Sequence, residues 1–377
     1  MPYVEAATTV RNIIIDAGAC TIPANDQPVV SPARASETVR THDFFGEPFH
    51  PRRPFISGHA QTIAGNFLPR RNQLPPPEER LFQVEPEVQV LCHCHWQTDR
   101  SSAMTLVIVH GLEGSSESQY VVGTGSKAWS AGMNVVRMNM RNCGDTEHLG
   151  PTLYNSSMSG DVGAVAQTLI AEDGLQQLAF VGYSMGGNLV LKLLGEWGHD
   201  VPPQVKAGVG VSPAVDLAPS ADALHNRANR VYEWKFLMGL RRRILRKAAL
   251  YPDRYDVKYL RGMRSLRDFD DQITARYSGF RDAQDYYTRA AAARVVDRIA
   301  VPTLVLHALD DPFIRVLPDT REKLLRNPHI TFVETAHGGH CAFLARPNGY
   351  DGRWAERQAI AFLQRVERGE PVRLPQD

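Results

Sequence analysis

The chain has 377 residues, enough for one large α/β domain or two smaller ones with a substantial core. Its 43% apolar and 22% charged composition is ordinary for a soluble globular protein, and a formal charge of +1 offers no basic field for nucleic acid. Five cysteines, Cys20, Cys92, Cys94, Cys143 and Cys341, are odd in number and scattered, which fits a reducing compartment and not a disulfide framework. No stretch reaches the roughly 18 apolar residues of a membrane span. The first residues lack a basic start followed by an apolar run, since NIIID is interrupted by Asp16. The expectation is a soluble cytoplasmic protein.

Residues 1–40 are weakly patterned and are expected to form an N-terminal extension, with 41–377 making a single domain. A second irregular connection is expected over 68–79, LPRRNQLPPPEE. LFQVE and VQVLCHCHW then alternate like paired strands, and TLVIVHG is a continuous apolar run, as in a strand buried on both faces. From there strands and helices take turns. NVVRMNMR reads as a strand, DVGAVAQTLIAE as a helix, LAFVGYS as a strand, NLVLKLLGEW as a helix and AGVGVSP as a strand. Near the end TLVLHAL, REKLLR, ITFVETA and WAERQAIAFLQRVERG repeat the alternation. Such an order predicts an α/β fold with a mainly parallel sheet covered on both faces. Residues 214–297 carry charged helical patterns and no convincing buried strand, so they are expected to be a helical insertion capping the sheet.

The stretch VGYSMGGNLV sets Gly182-Tyr183-Ser184-Met185-Gly186 between a predicted strand and a predicted helix, the setting of a nucleophile elbow. Without side chains, Gly182 and Gly186 let strand and helix approach closely around a strained turn. Ser184 is then held at the carboxyl edge of the sheet, where open α/β folds place their ligands. Alone, the motif is compatible with a plain glycine-rich turn.

A serine hydroxyl needs a base to take its proton, and the base needs an orienting group. In this kind of fold the acid and then the histidine follow the serine. LHALDDPF supplies Asp310 and Asp311 after one predicted strand, and ETAHGGHCAF supplies His337 and His340 after the next. Pro312 biases Asp311 towards extended backbone, which suits a side chain projecting from a strand end and leaves Asp310 as a turn residue or cap. Gly338 and Gly339 allow a tight bend that swings His340 towards Ser184, favouring it over His337. HGLEGSSESQY, with Gly111 at its tight turn, is the expected oxyanion loop; the backbone N–H groups of Leu112 and Met185 are the candidate donors. His110 precedes the serine and more simply shapes that loop.

Taken together these segments resemble the α/β-hydrolase superfamily and, within it, the YheT-like or AB hydrolase-4 family. That group contains bacterial proteins described as esterases, eukaryotic lipid-ester hydrolases and yeast medium-chain ethyl-ester synthases. The likeness covers about residues 45–365 and is carried by FHPRRPFISGHAQTIAGNFLPR, HGLEGSSESQYV, MRNCGDTEHLGPTLYNSSMSGD, GYSMGGN, GFRDAQDYY, ALDDPF and HGGHCAF. It implies Ser184, Asp311 and His340 as a catalytic trio, no metal or organic cofactor, and an ester of short to medium acyl length. Two departures concern loop shape: Asn142 stands where the family often has glycine, and LYNSSMSGD lacks a glycine after its serine.

Two other patterns invite a function. Cys92-His93-Cys94-His95 looks like a metal set, but on a strand the cysteines face one side and the histidines the other. Arg241, Arg242, Arg243, Arg246 and Lys247, interleaved with apolar residues, suit either a peripheral contact with an anionic membrane or the solvated side of a cap helix. The expected activity is carboxylic ester hydrolysis through an acyl-serine. The alternatives are transfer of the acyl group to an alcohol and a silent binding protein on the same scaffold.

Overall fold

Ser57 caps the first helix, α1 (Gly58–Phe67), its hydroxyl accepting the Ala60 N–H at 3.3 Å. This helix is absent from the expected elements because its buried side includes Gln61 and Thr62 and forms no apolar stripe. The alternating runs after it make β1 (Glu78–Glu85) and β2 (Val88–His95), paired antiparallel. The molecule, a computed structural model, is described for residues 48–372; the expected extension over 1–40, with Cys20, lies outside the described residues.

Six more strands complete an eight-stranded sheet: β3 (Thr105–Val109), β4 (Asn134–Met138), β5 (Leu178–Tyr183), β6 (Val205–Val211), β7 (Thr303–Ala308) and β8 (Ile330–Thr335). Their order is β1-β2-β4-β3-β5-β6-β7-β8, and only the two pairings made by β2 are antiparallel. Every residue of β3 is buried. Leu106 and Ile108 enter one core and Val107 and Val109 the other, which is why the sequence there is apolar throughout.

Helices α2 (Gln119–Ser130), α3 (Ser159–Ala171) and α4 (Met185–Trp197) follow β3, β4 and β5. Between β6 and β7 the regular structure is helical: α5 (Leu217–Leu224), α6 (Arg230–Leu250), α7 (Leu266–Phe269), a π-helical turn at Asp270–Ala275, α8 (Arg276–Ser278) and α9 (Ala283–Ala290). Helices α10 (Pro318–Arg326) and α11 (Trp354–Glu367) close the chain. Val121 of α2 and Phe362 of α11 join the core on one face of the sheet; Val165 of α3 and Leu189 of α4 join the core on the other. The chain leaves β3 towards β4 on one side and later returns to β5 on the other, so the crevice between the ends of β3 and β5 is a topological switch point.

The basic run on α6 does not form one face. Arg243 and Lys247 are buried, which removes both from any membrane contact or solvated side. Arg243 Nε donates to Glu113 at 3.0 Å, and Lys247 Nζ donates to the carbonyls of Glu147, at 2.9 Å, and Gly150. Arg241 donates to the Leu260 carbonyl at 2.7 Å, and Arg246 pairs with Asp145 and Glu147, each at 3.0 Å. Among the described residues no helix is long and apolar enough to cross a membrane. On β2, Cys92 and Cys94 enter a core. His93 meets Glu117 at 3.0 Å, and His95 accepts from Arg137 at 3.3 Å.

Candidate active site

At the end of β5 the backbone of Ser184 adopts φ 54° and ψ −116°, a conformation that non-glycine residues rarely hold and that marks stored strain. Its N–H donates to the Val211 carbonyl at 3.0 Å, and its carbonyl accepts from Asn188 and Ala214, each at 3.1 Å. The flanking glycines are required by contact. A Cβ on Gly182 would stand 2.2 Å from the Gly186 carbonyl oxygen, and one on Gly186 would stand 2.3 Å from that of His110. Neither obstacle is a side chain that can swing away. Gly186→Ala is therefore expected to destabilise the fold by about 2 kcal/mol or more, read as a lowered midpoint of thermal unfolding.

The loop after β3 faces this turn. Its Gly111 N–H donates to the Tyr120 hydroxyl at 2.9 Å, and a Cβ on Gly111 would approach that of Ser184 to 3.1 Å. Glu113 anchors the loop: its N–H donates to Tyr154 Oη at 3.2 Å, and its carboxylate accepts from Tyr154 at 2.7 Å and from Arg243 at 3.0 Å. Leu112 and Met185 both border the cavity that Ser184 enters. Met185 opens α4, so its N–H has no intrahelical acceptor. His110 is fully buried beneath the loop, where its Nε2 accepts the Met140 N–H at 3.1 Å and its Nδ1 meets the Gly111 carbonyl at 2.7 Å. Burial lowers its pKa to about 4, leaving a neutral structural imidazole.

Beyond β7 and β8 the two Asp–His choices separate in space. Asp311, buried, accepts the N–H groups of Phe313 and Ile314 on Oδ1 at 3.1 and 2.9 Å and meets His340 Nδ1 with Oδ2 at 2.8 Å. Burial opposes the carboxylate, but His340 and the Ile314 amide outweigh it and hold its pKa below the usual value. Burial likewise opposes the His340 imidazolium, but Cys341 and Asp311 more than offset it, so that pKa is raised. Asp310 and His337 make an outer pair at 3.2 Å, and Asp310 also accepts the Gly339 N–H at 2.8 Å, which fixes the histidine loop. Among the described residues no hydrogen bond joins Ser184 to His340; the two side chains border one cavity, and the Cys341 sulfur lies 3.6 Å from His340 Nε2. Cys341 packs against one core and borders the same cavity, in a left-handed backbone conformation at φ 59°.

Helix α1 holds the histidine loop from behind. The Thr62 hydroxyl accepts the His340 N–H at 2.8 Å, and Gln61 brackets Leu344, donating to its carbonyl at 3.1 Å and accepting its N–H at 2.7 Å. A Cβ on Gly58 would fall 1.8 Å from the Asp310 carbonyl oxygen. The segment FHPRRPFISGHAQTIAGNFLPR resembles a family signature, yet nothing in its composition announces this task. Thr62→Val keeps the shape and deprives the His340 amide of its acceptor. It is expected to destabilise the fold by about 1 kcal/mol, read as a lowered midpoint of thermal unfolding.

Comparison with known proteins agrees with the fold. The alpha/beta hydrolase fold family model matches residues 105–347. The chain belongs to that family. Within it, this hydrolase is 34% identical over 319 residues to the protein named "Putative esterase YheT" of Escherichia coli, covering 84% of this chain and 92% of the relative. It is 27% identical over 272 residues to phospholipase ABHD3 of Mus musculus, 72% of this chain and 64% of that protein, so it spans just under two thirds of that relative. The crystal structure of 2,6-dihydroxy-pseudo-oxynicotine hydrolase shares the fold at a TM-score of 0.54 and 16% identity, over 83% of this chain and 73% of that one. The motif-based likeness to the YheT-like group therefore extends along most of the chain. Asn142, where that group often has glycine, takes φ 63°, a left-handed conformation that asparagine enters more readily than most residues.

Two cavities of the hydrolase meet at Ser184. The first has about 760 Å³ of empty space and an apolar wall built largely by the segment between β6 and β7, including Leu217, Leu224, Phe236, Leu240 and Phe269. The second has about 1360 Å³ and a more polar wall; His340 borders it, along with Tyr232, Lys235 and Arg242. Leu112, Phe236 and Phe313 belong to both.

Proposed function

We propose that the protein is a serine hydrolase of carboxylic esters, with Ser184 as nucleophile, His340 as base and then acid, and Asp311 as the group that orients the imidazole. The observation that carries this reading is the convergence, on one cavity, of a strained serine and a histidine held by a buried carboxylate. Ser184 Oγ attacks the ester carbonyl carbon while its proton passes to His340 Nε2, and the N–H groups of Leu112 and Met185 receive the oxyanion. Collapse of the tetrahedral intermediate breaks the bond to the alcohol oxygen, which takes the proton from His340. Water then attacks the acyl-serine by the same route, releasing the acid and restoring Ser184. The serine–histidine hydrogen bond of such sites commonly tightens only when substrate is bound.

The helical segment acts in this reading as a cap that shapes the acyl cavity. Each added acyl methylene that enters an apolar wall gains about 0.8 kcal/mol. Across p-nitrophenyl esters of increasing length, kcat/KM is expected to rise up to about fourfold per methylene and then level off when the cavity is filled. A flat profile would remove the acyl role of this cavity.

The pH dependence follows from the direction of the His340 shift. The imidazole must be neutral to accept the serine proton, so kcat/KM falls as the pH drops through its pKa. That pKa is raised, so the acid limb is expected above the ordinary histidine value of about 6.5. Asp311→Asn removes a carboxylate that favours the imidazolium and moves the limb to lower pH, as a pH profile of residual kcat/KM would show.

A further inference from the structure

The two cavities at Ser184 assign the two halves of an ester, and the second is electrostatically unbalanced. Resting on the proposed chemistry, His340 must deliver a proton to the leaving oxygen, and it borders only the second cavity. The alcohol half therefore lies there, and the acyl half in the apolar cavity.

The charges around the alcohol half do not cancel. Glu113, the only carboxylate in that wall among the described residues, is already engaged by Arg243 and Tyr154. Arg70, also in the wall, is spent on Glu356 at 2.7 Å. Lys235 and Arg242 remain. Both are exposed, and among the described residues neither has an ion-pair or hydrogen-bond partner. They stand seven residues apart on α6, two helical turns or about 10 Å along one face. Gly239 lies between them, and a Cβ there would strike the Glu113 carboxylate at 2.2 Å. The Glu113 carboxylate thus packs against the helix between the two cations, its charge already met by Arg243.

We propose that Lys235 and Arg242 form an anion subsite, so that the preferred esters carry an anionic group, such as a phosphate monoester, on the leaving alcohol. Long flexible cations at the rim of a cleft raise the local concentration of such a substrate and hold it by charge-assisted hydrogen bonds.

The test compares 1-octanoyl glycerol 3-phosphate with 1-octanoyl glycerol, both below their micelle concentrations, in wild type, Lys235→Ala/Arg242→Ala and Lys235→Glu/Arg242→Glu. Wild type is expected to favour the phosphate ester about tenfold at low salt, through KM, and to lose the preference as salt rises. The alanine pair is expected to abolish the preference and the glutamate pair to invert it, each read as the ratio of kcat/KM for the two esters within one variant. Equal kcat/KM for both esters in wild type, or a preference that survives in the alanine pair, overturns the subsite. A charge effect seen only on anionic vesicles, and absent with the soluble esters, overturns it in favour of surface binding. Calorimetric binding of glycerol 3-phosphate to wild type and to the alanine pair needs no turnover. If neither ester is cleaved, the ester-hydrolase reading fails while this measurement still decides the subsite: binding weakened about tenfold in the pair supports it, and no binding to wild type overturns it.

Discussion

Replacing Ser184 with alanine is expected to lower kcat for a p-nitrophenyl ester by about 10⁶, with KM nearly unchanged. The magnitude follows from the way the site is built. In the proposed chemistry the hydroxyl is the attacking atom, and once it is gone neither His340 nor Asp311 has a serine proton to move, so the group fails as a unit. What remains in this reading is the proposed oxyanion loop, held by Tyr120 and Glu113 independently of the serine side chain, and the two cavities. These can sustain a residual rate above water. The backbone strain at Ser184 persists in the variant, since alanine has the same Cβ, so the midpoint of thermal unfolding should hold. A kcat loss below about 100-fold in a folded variant would point to another nucleophile.

The second large effect is that of Asp311→Asn, expected to reduce kcat by about 10⁴ without unfolding the protein. Asp311 Oδ2 faces His340 Nδ1 at 2.8 Å, so in the proposed chemistry the carboxylate keeps a proton on Nδ1 and, above the imidazole pKa, leaves Nε2 unprotonated to act as the base. An asparagine can turn its NH₂ towards Nδ1, which places the proton on Nε2 and removes the base. Asp310→Asn separates this role from loop positioning. Asp310 fixes the Gly339 amide and meets His337 on the outer side of the loop, so its replacement should cost kcat no more than about tenfold. Equal losses in the two variants would mean that the carboxylates serve only to order the loop.

How much of this was readable before the structure depended on how local each signal was. The apolar run of β3 announces a strand buried on both faces because each of its residues enters a core. The elbow is local only in part: a Cβ on Gly182 meets backbone four residues on, whereas one on Gly186 meets backbone at the end of the neighbouring strand. That Asp311 pairs with His340, leaving Asp310 to His337, is accessible through Pro312 and the two glycines after His337, because both turn on short-range backbone freedom.

What escaped the sequence rests on distant partners. Thr62 and Gln61 look like ordinary polar residues until His340 and Leu344 arrive beside them, more than 270 residues later in the chain. Helix α6 misleads for a related reason. A pattern of arginines and lysines suggests one wet face, but the groups that draw Arg243 and Lys247 inward are the Glu113 carboxylate and two carbonyls near 150, about 100 residues or more away. Only after those pairings are subtracted does the unpartnered remainder, Lys235 and Arg242, stand out beside the candidate site.

The most direct test of the central claim is to react the purified protein with a fluorophosphonate probe and map the modified peptide by mass spectrometry, beside Ser184→Ala. One adduct is expected, on Ser184, that disappears in the variant together with ester turnover. A folded wild type that takes up no probe, or an adduct that persists when Ser184 is replaced, would contradict it.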